Sequence, residues 1–279
     1  MNDEQSVELP FTKMHGLGND FVVVDCRERG WGDWAGLAPR LAHRRFGVGC
    51  DQVLLLGSSA AADFRLDIYN SDGSRAEMCG NGIRCLARYL REKKITEAQE
   101  IRFETLAGMV TTWHRGDEVE VDMGEPELEG RRIPADADGP VLERPLPVGE
   151  GAVKVTCVSM GNPHAVVFVD DAETYPVAEM GLELERHPFF PNRANVEFVH
   201  VVDPARIRMR VWERGVGITM ACGTGACAAA VASRWTGRTG PEVTVVLDGG
   251  ELRVRWDRQT SRVYLTGPAA KVFEGRFHL

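Results

Sequence analysis

Cys79-Gly80-Asn81-Gly82 is met a second time as Cys222-Gly223-Thr224-Gly225, 143 positions along the chain (222 − 79). The same offset carries Asn19 of Gly-Asn-Asp onto Asn162 of Gly-Asn-Pro and Gln52 onto Asn195. It also carries Arg65 onto Arg208 and Gly124 onto Gly267, with no gap at any of these points. Residues 11–124 and 154–267 therefore read as two copies of one unit. Such a pseudo-symmetric pair is expected to hold two thiols across a cleft. That geometry suits taking a proton from one face of a carbon and returning it on the other.

Around each motif the apolar period changes. Before it lie strand-like runs, 21–25, 53–56 and an alternating 64–69 in the first copy, and 153–158, 165–169, 196–202 and 206–212 in the second. After it the spacing becomes helical. Ile83, Leu86, Ala87 and Leu90 share a face in the first copy, and small residues fill 225–232 in the second. Strands follow again at 101–105, 109–114 and 119–123, and at 243–247, 252–256 and 262–266. Residues 125–151, rich in Pro, Gly and acids, read as a connector. Strand-rich units with hairpin turns and few crossover helices predict an α+β fold of mostly antiparallel sheets. The domains expected are 1–126 and 127–268, with the tail 269–279 returning to the first.

A chain of 279 residues is the right length for two domains. Its net charge of −8, without a long basic run, gives no footprint for nucleic acid. The polar N-terminal stretch has no signal-peptide character, and no apolar run approaches the ~20 residues of a membrane span. A cytoplasmic protein without membrane contact is expected. Seven cysteines at irregular spacing argue against a disulfide framework, and the absence of a Cys-x2-Cys pair argues against structural zinc. No metal is expected.

Each motif places a cysteine at a strand-to-helix turn. The glycines allow close approach of a ligand to the backbone amides, and the positive end of the helix favours negative charge there. A cysteine in that position is expected to have a lowered pKa and to exist partly as thiolate. The same amides suit a carboxylate or a developing enolate-like charge. Three other readings stand beside this one: a packed turn with an apolar Cys, a redox pair of Cys79 with Cys222, and a phosphate loop. The last lacks the Gly-Lys-Ser/Thr that would follow. Asn19 and Asn162 are either turn-stabilising residues or ligand-binding amides. Asn70 aligns with Glu213 (213 − 70 = 143), and Glu213-Arg214-Gly215 is either an exposed ion pair or a thiol-tuning carboxylate beside a carboxylate-clamping guanidinium. His164 aligns with Phe21 and is a candidate to accept a thiol proton. The other five cysteines read as structural.

At these residues the chain resembles the diaminopimelate epimerase family. The matching segments are 11–21, 49–52, 70–73, 77–85, 161–164, 193–196, 213–215 and 221–226, spread over essentially the whole length. The resemblance implies two pseudo-symmetric domains, each a mostly antiparallel β-barrel around a central helix, with the active site in the cleft between them. It implies that Cys79 and Cys222 are the acid/base pair, assisted by His164 and Glu213. It implies that Asn19, Gln52, Asn70, Asn162, Asn195 and Arg214 bind substrate, with the amides of Gly80, Asn81, Gly223 and Thr224 holding the reacting carboxylate. The activity implied is interconversion of LL- and meso-diaminopimelate without pyridoxal phosphate or other cofactor, in lysine and peptidoglycan precursor synthesis. A homodimer is expected, although no segment of the sequence specifies it. A racemase of the same fold for another amino acid is the first alternative, and a thiol redox or ligand-binding protein the second. The chain departs from the family at Ile218, where many members carry an acid. The offset sets Arg75 opposite it (218 − 75 = 143).

Overall fold

The computed structural model describes residues 8–29, 32–149 and 151–279. The polar N-terminal stretch therefore lies outside the described residues. The chain divides into two compact units, one of residues 1–121 and 268–279 and one of residues 122–267.

In the first unit the strands are β1 (Glu8–Gly16), β2 (Asn19–Asp25), β3 (Gln52–Gly57), β4 (Phe64–Asn70), β5 (Arg75–Ala76), β6 (Glu100–Thr105), β7 (Gly108–Arg115) and β8 (Glu118–Asp122). β1 with β2, β3 with β4, β4 with β5, β6 with β7 and β7 with β8 pair antiparallel, while β2 with β3 and β4 with β6 are parallel. The C-terminal strand Ala270–His278 adds to the free side of β1, from Glu8 opposite His278 to His15 opposite Ala270. Helix α1 (Trp34–Ala42) covers β3 and β4, and α2 (Gly80–Glu92) lies within the curl of the sheet against β1, β2, β3, β7 and the C-terminal strand.

The second unit repeats the plan with β9 (Arg144–Val148), β10 (Gly151–Ser159), β11 (Pro163–Phe168), β12 (Asn195–Asp203), β13 (Arg206–Glu213), β14 (Gly217–Ile218), β15 (Glu242–Leu247), β16 (Gly250–Asp257) and β17 (Arg262–Gly267). Its parallel steps fall at the equivalent places, β11 with β12 and β13 with β15. Helix α3 (Val177–Glu185) lies over β12 and β13, and α4 (Gly223–Trp235) is wrapped by β10 to β13 and β15 to β17. Ten residues of α4, from Gly223 to Ser233, are buried, which is why nearly all of them are small. Each unit is thus a mostly antiparallel sheet curled around one helix, an α+β fold.

The 143-residue register holds through both helices, from Gly80 and Gly223 onward, and then slips by one. Strand β6 begins at Glu100 and β15 at Glu242, an offset of 142 (242 − 100). The connector is more structured than its composition predicts, since it carries a 3-10 turn at Gly130–Arg132 and strand β9. Two short helices were hidden by their own sequences. Pro39 interrupts the pattern of α1, which Asp33 caps at its start by accepting the Ala35 N–H at 3.1 Å. Gly181 interrupts α3, because a Cβ there would lie 2.5 Å from the Cβ of Trp212.

The departure at Ile218 has a simple geometry. Ile218 pairs with Trp212 in β14, and Arg75 pairs with Tyr69 at the same place in β5. Both side chains are exposed on a two-residue strand, so neither is required by the core. Arg75 stacks over Tyr69 and pairs with Asp67.

Candidate active site

Both motif cysteines are helix N-caps. Cys79 begins α2 in extended backbone (φ −144°, ψ 107°) and its Sγ accepts the Gly82 N–H at 3.4 Å. Cys222 begins α4 in the same conformation (φ −123°, ψ 112°), and its Sγ accepts the Gly225 N–H at 3.4 Å. A side-chain atom accepting from the third helical amide is the usual N-cap arrangement, here made by sulfur. The first helical amides, Gly80 and Asn81 or Gly223 and Thr224, have no acceptor within their own helix and bring the positive end of the dipole to the thiol.

In the first unit Asn19 follows Gly18, whose φ of +87° turns the chain from β1 into β2. Its amide nitrogen donates to Asp51 at 2.8 Å. That leaves Oδ1 facing Cys79 Sγ at 3.8 Å and accepting from Asn81 Nδ2 at 3.2 Å. Gln52 and Asn70 are cross-strand partners in β3 and β4, and Gln52 Nε2 donates to Asn70 Oδ1 at 2.8 Å. Asn70 donates in turn to Ser74 Oγ at 2.9 Å. All six first-unit residues expected from sequence, Asn19, Gln52, Asn70, Cys79, Gly80 and Asn81, lie on β2, β3, β4 and the start of α2.

In the second unit Asn162 follows Gly161, with φ of +93°, in the equivalent turn. Its Nδ2 donates to Thr224 Oγ1 at 3.3 Å, and Thr224 Oγ1 is 3.6 Å from Cys222 Sγ. The Asn19–Asn81 contact is the first-unit counterpart, since both pairs are 62 residues apart (81 − 19 and 224 − 162). His164 is fully buried, with Nε2 3.0 Å from Asn162 Oδ1 and Nδ1 2.7 Å from Glu197 Oε1. Its route to Cys222 runs through Asn162 and Thr224. Buried Asn195 accepts the Arg214 N–H at 2.9 Å and donates to the Pro163 carbonyl at 3.0 Å. The Arg214 guanidinium reaches the Asn192 carbonyl at 3.1 Å and is otherwise exposed. Glu213 accepts from Thr219.

The expected lowering of the cysteine pKa is overturned at Cys222. Burial pushes this thiol well above its ordinary value, and the charges of Glu213 and Glu197 push it further. Hydrogen bonds from Thr224 and the Gly225 amide act the other way and are outweighed. Burial likewise raises Glu213, against hydrogen bonds from Thr219 and Cys222 and the influence of His164. The balance holds Cys222 toward its thiol form. Among the others, burial raises Cys26 to about 12 and Cys50 to about 11, and raises Cys85 and Cys157 as well, as befits structural thiols.

Three residues that touch this machinery were not singled out from the sequence: Asp51, Thr219 and Glu197. Glu197 left a signal, since it is a carboxylate inside the apolar run Asn195–Val199, where the repeat has Leu54. Asp51 and Thr219 left none, because polar residues beside turns are ordinary. Among the described residues no group of three or more His, Cys, Asp or Glu side chains converges as a metal site, and no helix is long and apolar enough to cross a membrane.

The family model described as diaminopimelate epimerase matches residues 11–129 and 156–272. The chain belongs to the diaminopimelate epimerase family. Among curated diaminopimelate epimerases, one from Moorella thermoacetica is 52% identical over 97% of this chain and 100% of its own length. One from Azoarcus sp. is 49% identical over 98% of this chain and 100% of its own. Diaminopimelate epimerases are amino acid isomerases, so the chain falls in that enzyme class. Among solved structures, a hydroxyproline epimerase from Agrobacterium vitis superposes with a TM-score of 0.72 at 18% identity, covering 100% of this chain and 94% of that one. A PhzF-family phenazine biosynthesis protein from Bacillus anthracis reaches 0.72 at 16% identity, over 98% and 100%. These two likenesses show the fold alone.

Proposed function

We infer that the chain interconverts LL- and meso-diaminopimelate, with Cys79 and Cys222 as the two acid/base groups. The observation that carries this is the matched pair of cysteine N-caps, one per unit, each receiving the third amide of its own helix. A two-base epimerisation needs one thiolate to take the α-proton and one thiol to return a proton to the opposite face. The raised pKa of Cys222 supports its entering the cycle as the thiol, and reversal exchanges the roles.

An amino acid α-proton is weakly acidic, and the reading uses no cofactor as electron sink. The barrier is lowered by amides and helix dipoles directed at the reacting carboxylate, the amides being those of Gly80, Asn81, Gly223 and Thr224. Asn19, Gln52, Asn70, Asn162, Asn195 and Arg214 orient the substrate, with the exposed Arg214 guanidinium suited to a carboxylate. His164 and Glu213 hold the proton inventory of the second unit around Cys222. A small polar biosynthetic substrate places the enzyme in the cytoplasm, in lysine and peptidoglycan precursor synthesis, and we assign it as a homodimer.

The test is incubation of the reduced protein with LL-diaminopimelate in deuterated water, followed by proton NMR. Loss of the α-proton signal with appearance of the meso isomer is expected. Binding without exchange would replace this reading with a ligand-binding one, and exchange only with another amino acid would move the substrate. Light scattering of the purified protein tests the dimer.

A further inference from the structure

The offset of 143 sets His164 on Phe21 and Glu197 on Leu54 (164 − 143 and 197 − 143). Strand pairing makes these places equivalent. Parallel β2 and β3 align Phe21 with Gln52 and Val23 with Leu54, while β11 and β12 align His164 with Asn195 and Val166 with Glu197. Phe21 and Leu54 lie under Gly82, the last glycine of the first motif, and Glu197 lies under its counterpart Gly225. A Cβ on Gly82 would sit 3.0 Å from Leu54 Cδ2 and 3.4 Å from Phe21 Cε1, and one on Gly225 would sit 2.7 Å from Glu197 Oε1. The floor beneath the first helical turn is therefore hydrocarbon in one unit and an ionisable pair in the other.

All four side chains are fully buried. The first unit demonstrates that Phe and Leu fill this place, whereas burying a carboxylate and an imidazole carries a desolvation penalty. Glu197 does little for the fold in return. Its Oε1 meets His164, and its Oε2 is buried with no hydrogen-bond partner among the described residues. What it does is fix the imidazole. A carboxylate on Nδ1 makes that nitrogen a donor, sets the ring's orientation, and places Nε2 3.0 Å from Asn162 Oδ1, at the head of the series Asn162, Thr224 and Cys222.

We propose that Glu197 is a positioning residue for the epimerisation, acting through His164, and that it makes the two halves of a duplicated fold chemically unequal. The proposal rests on the two-cysteine reading above. Besides His164, the titratable groups on which its charge bears are Cys157, Glu213 and Cys222.

The test compares steady-state kinetics of the full-length wild type and Glu197→Gln with LL-diaminopimelate. The variant keeps shape and acceptor but loses the charge. A fall in kcat of about 10–100-fold is expected. KM should stay within about twofold, with a displaced pH–rate profile and an unchanged melting temperature. In a His164→Phe background, Glu197→Gln should cost nothing further, and neither should Glu197→Leu, which copies the Phe21–Leu54 pair and so preserves packing. Wild-type kcat and pH profile in Glu197→Gln would overturn the proposal, as would an equally large further loss in the His164→Phe background. The His164 Nδ1 proton gives a readout that needs no turnover. It should resonate far downfield in the wild type and move upfield in Glu197→Gln, and an unmoved signal would overturn the proposal. Wild-type protein that fails to epimerise while its Nδ1 proton behaves as expected would count against the substrate instead.

Discussion

Asn19 donates its amide nitrogen to Asp51 at 2.8 Å, and this one bond decides which end of the amide faces Cys79. With Nδ2 held by the carboxylate, only Oδ1 can meet the thiol and the Asn81 amide. Asp51→Asn removes that preference, because an amide serves either end of Asn19. Epimerase activity of this variant should fall about tenfold with little change in melting temperature, and activity equal to wild type would remove Asp51 from the machinery.

Cys79→Ser and Cys222→Ser should each lower kcat by about 10²–10⁴-fold, the usual contribution of a positioned acid or base, while circular dichroism stays that of the wild type. Retention of full activity in either variant would refute the two-base scheme.

The charge of Glu213 is one cause of the raised pKa of Cys222. Glu213→Gln removes that charge, so the thiol should ionise at lower pH. The check is the pH dependence of Cys222 alkylation in a Cys79→Ser background, quantified on the Cys222 peptide by mass spectrometry. The midpoint should move down, and a midpoint that rises would refute this account of the thiol.

The two motif glycines should differ in their tolerance of a methyl group. Gly82→Ala meets side-chain carbons of Leu54 and Phe21, which can move by a few tenths of an ångström. Gly225→Ala meets Glu197 Oε1 at 2.7 Å and Cys222 Sγ at 3.2 Å, so it displaces the thiol itself. Kinetics should show the larger loss of kcat at Gly225, and equal losses would contradict the asymmetry.

Burial alone would raise the pKa of Asp20, but hydrogen bonds from Arg44 and Lys13 outweigh it and hold the carboxyl at about 2. A depressed folded pKa stabilises the native state above the unfolded value of about 4 and loses that contribution as pH falls towards 2. After allowance for solvent screening, about 1–2 kcal/mol should disappear across this window, and Asp20→Asn should flatten that part of the acid denaturation curve.

Much of this was legible because the duplication wrote it twice. Cys79, Cys222, Asn19 and Asn162 each occur at a fixed interval, and the strand-to-helix change of period sits at the motif in both copies. The short helices were not legible, since Pro39 and Gly181 answer to packing that local pattern does not contain. The ionisation of Cys222 was misread for a related reason. A helix N-terminus is a local property and argues for thiolate, but burial and the approach of Glu197 and Glu213 are tertiary, and they decide the outcome. The slip of one residue after the helices is also invisible at the matched motifs, which lie on either side of it.

The C-terminal strand has a consequence for the order of events during synthesis. Residues 122–267 form one uninterrupted unit, whereas the sheet of the other lacks its strand beside β1 until Ala270–His278 has been made. On the ribosome, the segment translated second is the first that can be completed. Until Ala270–His278 is in place, β1 offers an open backbone edge to any neighbouring nascent chain.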